Sequence, residues 1–213
     1  MKRVLIVLVI FMVGGLGSAH ADIINGGFED GLNGWANEIT NGTYTTAVVS
    51  SYATTETGGY SFTPREGNSM LQIFMQNPIA RTYQDVFLNE GDTIQGYAGL
   101  DTIFSGANFS IIFVTVSILN QDEVVATLLE NDGGAFDWTF WSWNATASGD
   151  YSLEFSFTPF LAGISPHTGY AFFDAIEVIE AGNENAPVPE PATMLLLGTG
   201  LIGLAGFRKK FKK

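Results

Sequence analysis

Short runs of β-forming residues, separated by polar turns, fill the chain between residues 22 and 186 and limit its fold more than any other feature. This body shows no sustained 3.6-residue period of the kind that marks an amphipathic helix. Many strands at close spacing with polar turns predict an antiparallel sandwich or barrel. The predicted strands cover residues 43–50, 69–75, 81–88, 93–100, 109–119, 123–128, 136–144, 151–158 and 170–179.

Alternation within these runs indicates which strand faces are buried. In the run 151–158, large apolar side chains alternate with small polar or acidic ones, so one face lies in a core and the other in water. Residues 111–116 are apolar on both faces, which predicts a strand in the middle of a sheet. The apolar positions of the first run are Tyr151, Leu153, Phe155 and Phe157.

Charge and cysteine content limit what the body can bind and how it is held together. It carries two arginines, Arg65 and Arg81, against 21 acidic residues, a net charge of −19. Such a domain repels nucleic acid and anionic lipid and suits cations. It has no cysteine, so a hydrophobic core or a metal ion must stabilise it. Its 165 residues are enough for one domain with a substantial core.

The first 21 residues have the three parts of a secretory signal peptide. Lys2 and Arg3 precede an unbroken apolar run at residues 4–13, and Ala19 and Ala21 are small residues at the positions that signal peptidase reads. This run is shorter than the ~20 residues of a membrane-spanning helix. We therefore expect cleavage after Ala21 and export of the remainder.

A second apolar segment, residues 192–207, lies near the C-terminus and carries no charge. As a helix rising about 1.5 Å per residue it would be roughly 24 Å long, a little short of a hydrocarbon core of roughly 30 Å. Its four glycines suit a membrane helix. Five Lys and Arg residues follow within residues 208–213, and such basic flanks stay in the cytoplasm. The sequence thus predicts a transmembrane helix, with the body outside.

The tripeptide Pro189, Glu190 and Pro191 precedes this segment. Pro-Glu-Pro followed by a glycine-containing apolar segment and a basic tail resembles the PEP-CTERM sorting signal. The resemblance implies that the membrane protease exosortase recognises the tripeptide and passes the body to the cell surface or matrix. It also implies a Gram-negative bacterium that makes exopolysaccharide. Two prolines cannot continue a helix, which keeps the tripeptide extended and accessible.

Four features of the body occur in order along the sequence. They are the opening Asn-Gly-Gly-Phe-Glu-Asp-Gly at residues 25–31 with Trp35, the stretch 65–69, Trp143 with the turn 148–151, and the last strand 171–178. Together they resemble the jelly-roll domains of the galactose-binding-like and carbohydrate-binding-module type. The resemblance implies a two-sheet antiparallel jelly-roll sandwich with its first and last strands adjacent.

The predicted organisation has five parts. A signal peptide at residues 1–21 precedes the β-sandwich domain at residues 22–181. A linker at 182–191 contains the sorting tripeptide, the membrane helix covers 192–207, and a basic cytoplasmic tail covers 208–213. The precursor would be anchored in the inner membrane until it reaches the surface or matrix.

The jelly-roll resemblance implies a structural calcium ion between the first and last strands. Glu29 and Asp174 would supply carboxylates, and backbone oxygens near Gly27, Glu66 and Asn68 would complete the shell. Calcium is a hard ion that accepts six to eight oxygen ligands without strict geometry. The alternative is that Glu29 is exposed and Asp174 only caps a turn.

Catalytic motifs are lacking in the sequence of the body. It contains one histidine, His167, in a run typical of a surface loop, and no cysteine nucleophile, zinc-protease motif or phosphate loop. Carboxylate pairs could in principle hydrolyse glycosides, but 21 acidic residues produce suitable spacings by chance. We therefore expect a non-enzymatic surface or matrix protein associated with exopolysaccharide; an unrecognised hydrolase stays open.

A lectin-like module with a defined glycan is the second alternative, because sugar sites use aromatic faces. In the strand 136–144, Phe136, Trp138 and Phe140 share one face by the two-residue period, whereas Trp141 and Trp143 share the other. One set must fill the core. Either the other set is buried as well, or it forms an exposed carbohydrate platform, for which Trp141 and Trp143 are the candidate residues. The region 37–64, rich in Thr, Ser, Gly and Tyr, would form a binding loop or a glycosylated surface.

Overall fold

The computed structural model describes residues 22–103, 112–131, 134–159 and 168–182. Across these ranges the regular elements are eight β-strands, which confirms the all-β prediction. The strands are β1 (Ala36–Val49), β2 (Met70–Leu88), β3 (Thr93–Ile103), β4 (Ile112–Asn120), β5 (Glu123–Glu130), β6 (Phe136–Asn144), β7 (Gly149–Pro159) and β8 (Thr168–Ile179).

All strand pairs are antiparallel, in the order β5-β4-β7-β2-β8-β3-β6, with β1 also paired to β2. The long strand β2 belongs to two sheets, since residues 71–76 pair with β8 and residues 80–88 pair with β7. The first sheet is therefore β6-β3-β8 with the start of β2, and the second is β5-β4-β7 with its end. This is the predicted two-sheet sandwich, and β4 lies inside its sheet as expected.

A bend in β2 lets one strand serve both sheets. Asn77 has a left-handed backbone (φ 48°) directly before Pro78, and Asn tolerates that conformation better than most residues. The paired strand β1 bends at the same level, because its bulges lie around Asn41 and Gly42. The sequence predicted two strands, 69–75 and 81–88, but both belong to one strand that continues through the bend.

Aromatic side chains from the two sheets meet in the core. Phe155 on β7 stacks on Phe173 on β8 with ring centroids 3.9 Å apart and planes 9° apart. Trp35 stacks on the same Phe155 ring at 5.4 Å. The apolar residues of β7 are buried and the residues between them half-buried, so the predicted alternation is confirmed. Burying one such ring contributes about 1.5–3 kcal/mol, and the hydrophobic contacts between the sheets stabilise the sandwich.

The segment before β1, rather than β1 itself, lies beside the last strand. The carbonyl of Gly26 accepts a 3.2 Å hydrogen bond from the Ile176 amide. A Cβ on Gly26 would lie 1.8 Å from the Ile176 carbonyl oxygen, so only glycine permits this approach. The expectation that the first and last strands are adjacent is thus corrected, because β1 pairs with β2, β8 pairs with β2 and β3, and Gly26 of the segment before β1 contacts β8 at Ile176.

Candidate functional site

Two carboxylates bind the short loop of residues 65–69, called here the clasped loop. Asp174 on β8 accepts hydrogen bonds at Oδ2 from the amides of Arg65 (2.5 Å) and Glu66 (3.1 Å). Glu29, in the segment before β1, accepts at Oε1 from the amides of Asn68 (2.5 Å) and Ser69 (2.8 Å). The loop is held at one end by the last strand and at the other by the N-terminal segment.

Asp174 is fully buried beneath this loop. Burial raises the pKa of its carboxyl above the ordinary value, because the charged form loses solvation. Hydrogen bonds from the amides of Glu66, Ala175 and Arg65 oppose that rise by stabilising the carboxylate. Three amide donors therefore keep a buried carboxylate satisfied.

The predicted calcium ligands are brought together only in part. Glu29 and Asp174 approach the same loop, but Glu66 and Asn68 direct backbone amides, not carbonyls, at the two carboxylates. Gly27 is half-buried in the N-terminal segment next to the Gly26 contact with β8. Within the described ranges, no three Asp, Glu, His or Cys side chains form a metal-binding group. Oxygen donors suit calcium, and an ion here would need these two carboxylates plus backbone carbonyls.

The region predicted as a long binding loop is divided between strand and packed loop. Its first part is β1, and residues 50–64 lie across the outer face of the first sheet. There Phe62 stacks on Phe172 of β8 at 4.2 Å and meets Trp138 edge-on at 5.2 Å. Tyr52 donates its hydroxyl to the buried Asp101 at 2.7 Å. Phe62 and Tyr52 of this loop pack on aromatic side chains of the sheet, whereas Tyr60 is exposed.

The structure separates the two tryptophans that were the candidates for a platform. Trp141 is 2% exposed and meets Phe155 edge-on in the core, so it cannot present its ring to a ligand on the surface. This corrects the prediction for Trp141: the two-residue period does not tell which aromatic face of β6 is buried. Trp143 points the same way but lies half-buried at the end of the strand, edge-to-face with Tyr151 at 5.3 Å.

Trp143 lines a cleft of about 340 Å³ at the open edge of the sandwich, called here the edge cleft. The β4–β5 turn, the start of β5, the end of β6 and the start of β7 surround it. The turn places Gln121 and Asp122 in left-handed conformations (φ 51° and 65°), the geometry of a tight hairpin. The lining residues are Asn120, Gln121, Glu123, Val125, Trp143, Thr146 and Tyr151.

The edge cleft combines aromatic and hydrogen-bonding groups. Trp143 and Tyr151 form one wall, and Tyr151 is fixed because its hydroxyl donates to the Ala147 carbonyl at 2.8 Å. Gln121 and Glu123 are exposed and offer amide and carboxylate groups. Such a mixture recognises a ligand with an apolar face and several hydroxyls. Sequence reasoning treated Tyr151 as core and residues 120–122 as a turn, because pattern alone does not show that both border a concavity.

The other two tryptophans, Trp35 and Trp138, pack against neighbouring side chains of the fold. Trp35 is buried and donates its Nε1–H to the Asn25 carbonyl at 3.3 Å. Trp138 is half-buried against Phe62 and donates its Nε1–H to the Thr63 carbonyl at 3.1 Å. Of the four tryptophans, Trp143 is thus the one that lines the edge cleft.

Comparison with known proteins identifies the sorting signal. Residues 187–210 match the PEP-CTERM protein-sorting motif, which confirms the predicted signal. This motif implies an exported protein that is processed by exosortase at the membrane of a Gram-negative bacterium. The recognition roles of Pro189, Glu190 and Pro191 remain predictions. Among curated proteins, none matches the chain.

Solved structures resemble the chain at low identity. The carbohydrate-binding module TmCBM61, solved with β-1,4-galactotriose, matches at 12% identity and a TM-score of 0.46, over 73% of this chain and 95% of that one. The CBM22-1 xylan-binding domain of Paenibacillus barcinonensis Xyn10C matches at 15% identity and a TM-score of 0.41, over 76% of this chain and 94% of that one. The K3 adhesin domain of Lys-gingipain from Porphyromonas gingivalis matches at 16% identity and a TM-score of 0.46, over 76% of this chain and all of that one. At these identities the likeness concerns the fold alone.

Several predicted features lie outside the described residues: the signal peptide, the sorting tripeptide, the C-terminal apolar segment with its basic tail, and His167. The predicted domain boundaries at these segments remain predictions. In the ranges that the structure does describe, no helix has the length and apolarity needed to cross a membrane.

Proposed function

We propose that this chain is a non-enzymatic surface or matrix protein that exosortase releases from the membrane and that binds polysaccharide through the edge cleft. The sorting motif at residues 187–210 supports the route of export. The observation that carries the binding proposal is the half-exposed Trp143 ring in a cleft with amide and carboxylate groups.

Sugar chemistry fits this cleft. A pyranose ring presents a face of C–H groups and a rim of hydroxyls, so it packs against an aromatic ring while its hydroxyls exchange hydrogen bonds with polar side chains. The Trp143 ring supplies the apolar surface and Gln121 both donates and accepts. A cleft of about 340 Å³ accommodates one or two sugar units, which matches small-molecule sites of roughly 300–1,000 Å³.

Charge favours a neutral glycan over an acidic one. The exported body carries −19, and Glu123 lies in the cleft itself. A polyuronate would meet like charge both at long range and on contact. We therefore assign the cleft to a neutral polysaccharide, with the defined-glycan lectin as the narrower form of the same activity.

The test measures binding of the full chain, reconstituted in lipid nanodiscs, to soluble xylan, galactan, mixed-linkage β-glucan and alginate. Retention of a neutral polymer that is clearly weakened in Trp143→Ala supports the proposal. Gln121→Asn shortens an amide in the cleft and should weaken binding, whereas Gln76→Asn makes the same change on β2, away from the cleft. Equal binding by wild type and Trp143→Ala, or turnover of any polymer, would contradict it.

We also propose that calcium binds at the clasped loop. The two carboxylates that hold residues 65–69 supply the anionic oxygens that calcium prefers, and backbone carbonyls lie in the same segments. A domain without cysteine would gain stability from such a link between its N-terminal segment and β8. The role is structural, with no part in chemistry.

A further inference from the structure

The outer face of the first sheet carries a second aromatic surface, called here the outer platform and formed by Arg65, Tyr97 and Phe140. Phe140 on β6 is 49% exposed, and its ring centroid lies 5.3 Å from that of Tyr97 on β3. The Arg65 guanidinium lies 4.5 Å from the Tyr97 ring centroid. Three side chains from separate segments thus form one accessible surface.

The loop of residues 50–64 covers the neighbouring part of this face but leaves the outer platform open. Phe62 covers Gly99, where a Cβ would lie 2.3 Å from its ring, and shields Phe172 and Trp138. Two positions beyond Trp138 on the same strand, Phe140 has no such cover from the described part of the loop. The chain shields one aromatic stretch of the sheet and exposes the next.

Arg65 is distinguished from the other arginine of the body by its free guanidinium. Arg81 is bound by Glu38 at 2.6 Å and by Glu154 at 2.8 Å. Within the described residues Arg65 has no carboxylate partner for its side chain, and its backbone amide is fixed by Asp174. The guanidinium lies over the Tyr97 ring, and Arg65 is exposed, so its donors are accessible to a ligand.

Acceptors border the other side of the outer platform. Gln95, two residues before Tyr97 on β3, donates its Nε2–H to Glu177 Oε1 at 2.7 Å. The Gln95 amide oxygen and the second carboxylate oxygen of Glu177 remain as acceptors. Donors at one border and acceptors at the other, with aromatic rings between, match the face and hydroxyls of a neutral sugar. The net charge of −19 and the adjacent Glu177 disfavour a polyanion.

We propose that the outer platform is a second binding surface for neutral polysaccharide, so that one domain links two chains. Phe140 and Trp143 lie on opposite faces of β6, because residues an odd number apart point to opposite sides of a strand. One sugar ring cannot contact both. The inference rests on the proposed glycan binding and adds that the protein is bivalent, as suits a matrix component that cross-links polymer.

The test uses the full chain in nanodiscs at one copy per disc, with soluble xylan, galactan and mixed-linkage β-glucan, and measures both affinity and polymer cross-linking by light scattering. Wild type should cross-link the polymer that it binds. Phe140→Ala should abolish cross-linking and lower apparent affinity about tenfold while binding at the edge cleft persists. Ile39→Ala, which removes a side chain of similar exposure (51%) on β1, should change neither.

The outcomes separate the two proposals. If Trp143→Ala abolishes all binding, the outer platform is not a glycan site, whereas the edge cleft stands. If Phe140→Ala binds and cross-links like wild type, or changes only the self-association of the protein, bivalent binding is overturned. If wild type binds none of the polymers, the proposed function and the inference both fail.

Discussion

Glu29 and Asp174, which are 145 positions apart in the sequence, bind the two ends of one five-residue loop through backbone amides. Through this loop the N-terminal segment and the last strand are joined without a disulfide. The same residues are those that the jelly-roll resemblance marks for calcium. These carboxylates are satisfied either by amides alone or by amides and a cation. The two cases differ in melting temperature and in the pH dependence of stability.

Calcium should raise the melting temperature of the full chain if the ion binds at the clasped loop. Binding to the folded state alone stabilises by about 2.7 kcal/mol at a hundredfold excess over Kd. Glu29→Gln should remove this gain, whereas Glu56→Gln, in the loop 50–64, should retain it. A melting temperature that is equal in calcium and in chelator would exclude the ion.

The pH dependence of stability should differ between the calcium-free and calcium-bound protein. Without metal, the folded pKa of Asp174 lies above its ordinary value of 3.8, so its contribution to stability is full below that value and declines as pH rises through the folded pKa. In chelator, the free energy of unfolding of wild type should thus increase relative to that of Asp174→Asn as the pH falls from 7 towards 4. In calcium the trend should reverse, because the ion binds the carboxylate. If the difference in unfolding free energy between wild type and Asp174→Asn does not change with pH in chelator, burial does not raise the pKa of Asp174.

Gly67 should be required for the clasped loop. Its φ is 60°, and a Cβ there would lie 2.2 Å from Glu29 Oε1, the oxygen that holds Asn68 and Ser69. Gly67→Ala should cost roughly 1–2 kcal/mol from the backbone and more from displacing the carboxylate. Gly58→Ala is the matched control, since its φ is 82° but a Cβ there meets nothing within 4 Å. If Gly67→Ala and Gly58→Ala lower the free energy of unfolding in urea equally, the contact with Glu29 does not contribute to stability.

Trp141→Ala should destabilise the fold without acting on a binding surface. Removing a buried tryptophan costs about 3–5 kcal/mol, and Trp141 packs against Phe155 in the core. Trp143→Ala should cost less, because the ring is only half-buried. Denaturant unfolding of both variants checks the order. A larger loss from Trp143→Ala would mean that the edge cleft is part of the core.

The sequence predicted the elements whose patterns are local. The alternation from Tyr151 to Phe157 identifies the buried face of β7 because the side-chain period is two. It did not predict that β2 runs through both sheets, since Asn77-Pro78 reads as a break unless the matching bend of β1 is known. Nor did it predict which face of β6 is buried, because large aromatics occupy both faces.

A shift in the pairing of β3 with β6 also made the predicted strand faces of Phe136 and Trp138 wrong. Between Ala98 and Leu100 the register slips, so that Phe136 packs with the core while Trp138 faces outwards against Phe62. The two-residue period had placed Phe136 and Trp138 on one face. The edge cleft and the outer platform depend on such tertiary details, which pattern and composition do not contain.

Tryptophan fluorescence of the full chain during titration with neutral polysaccharide tests glycan binding at the edge cleft most directly. Trp143 is the half-exposed tryptophan of that cleft, so a bound sugar should exclude water from its ring. We predict a saturable blue shift in wild type that Trp143→Phe lacks. An unchanged spectrum with every neutral polymer, or the same shift in Trp143→Phe, would contradict the assignment.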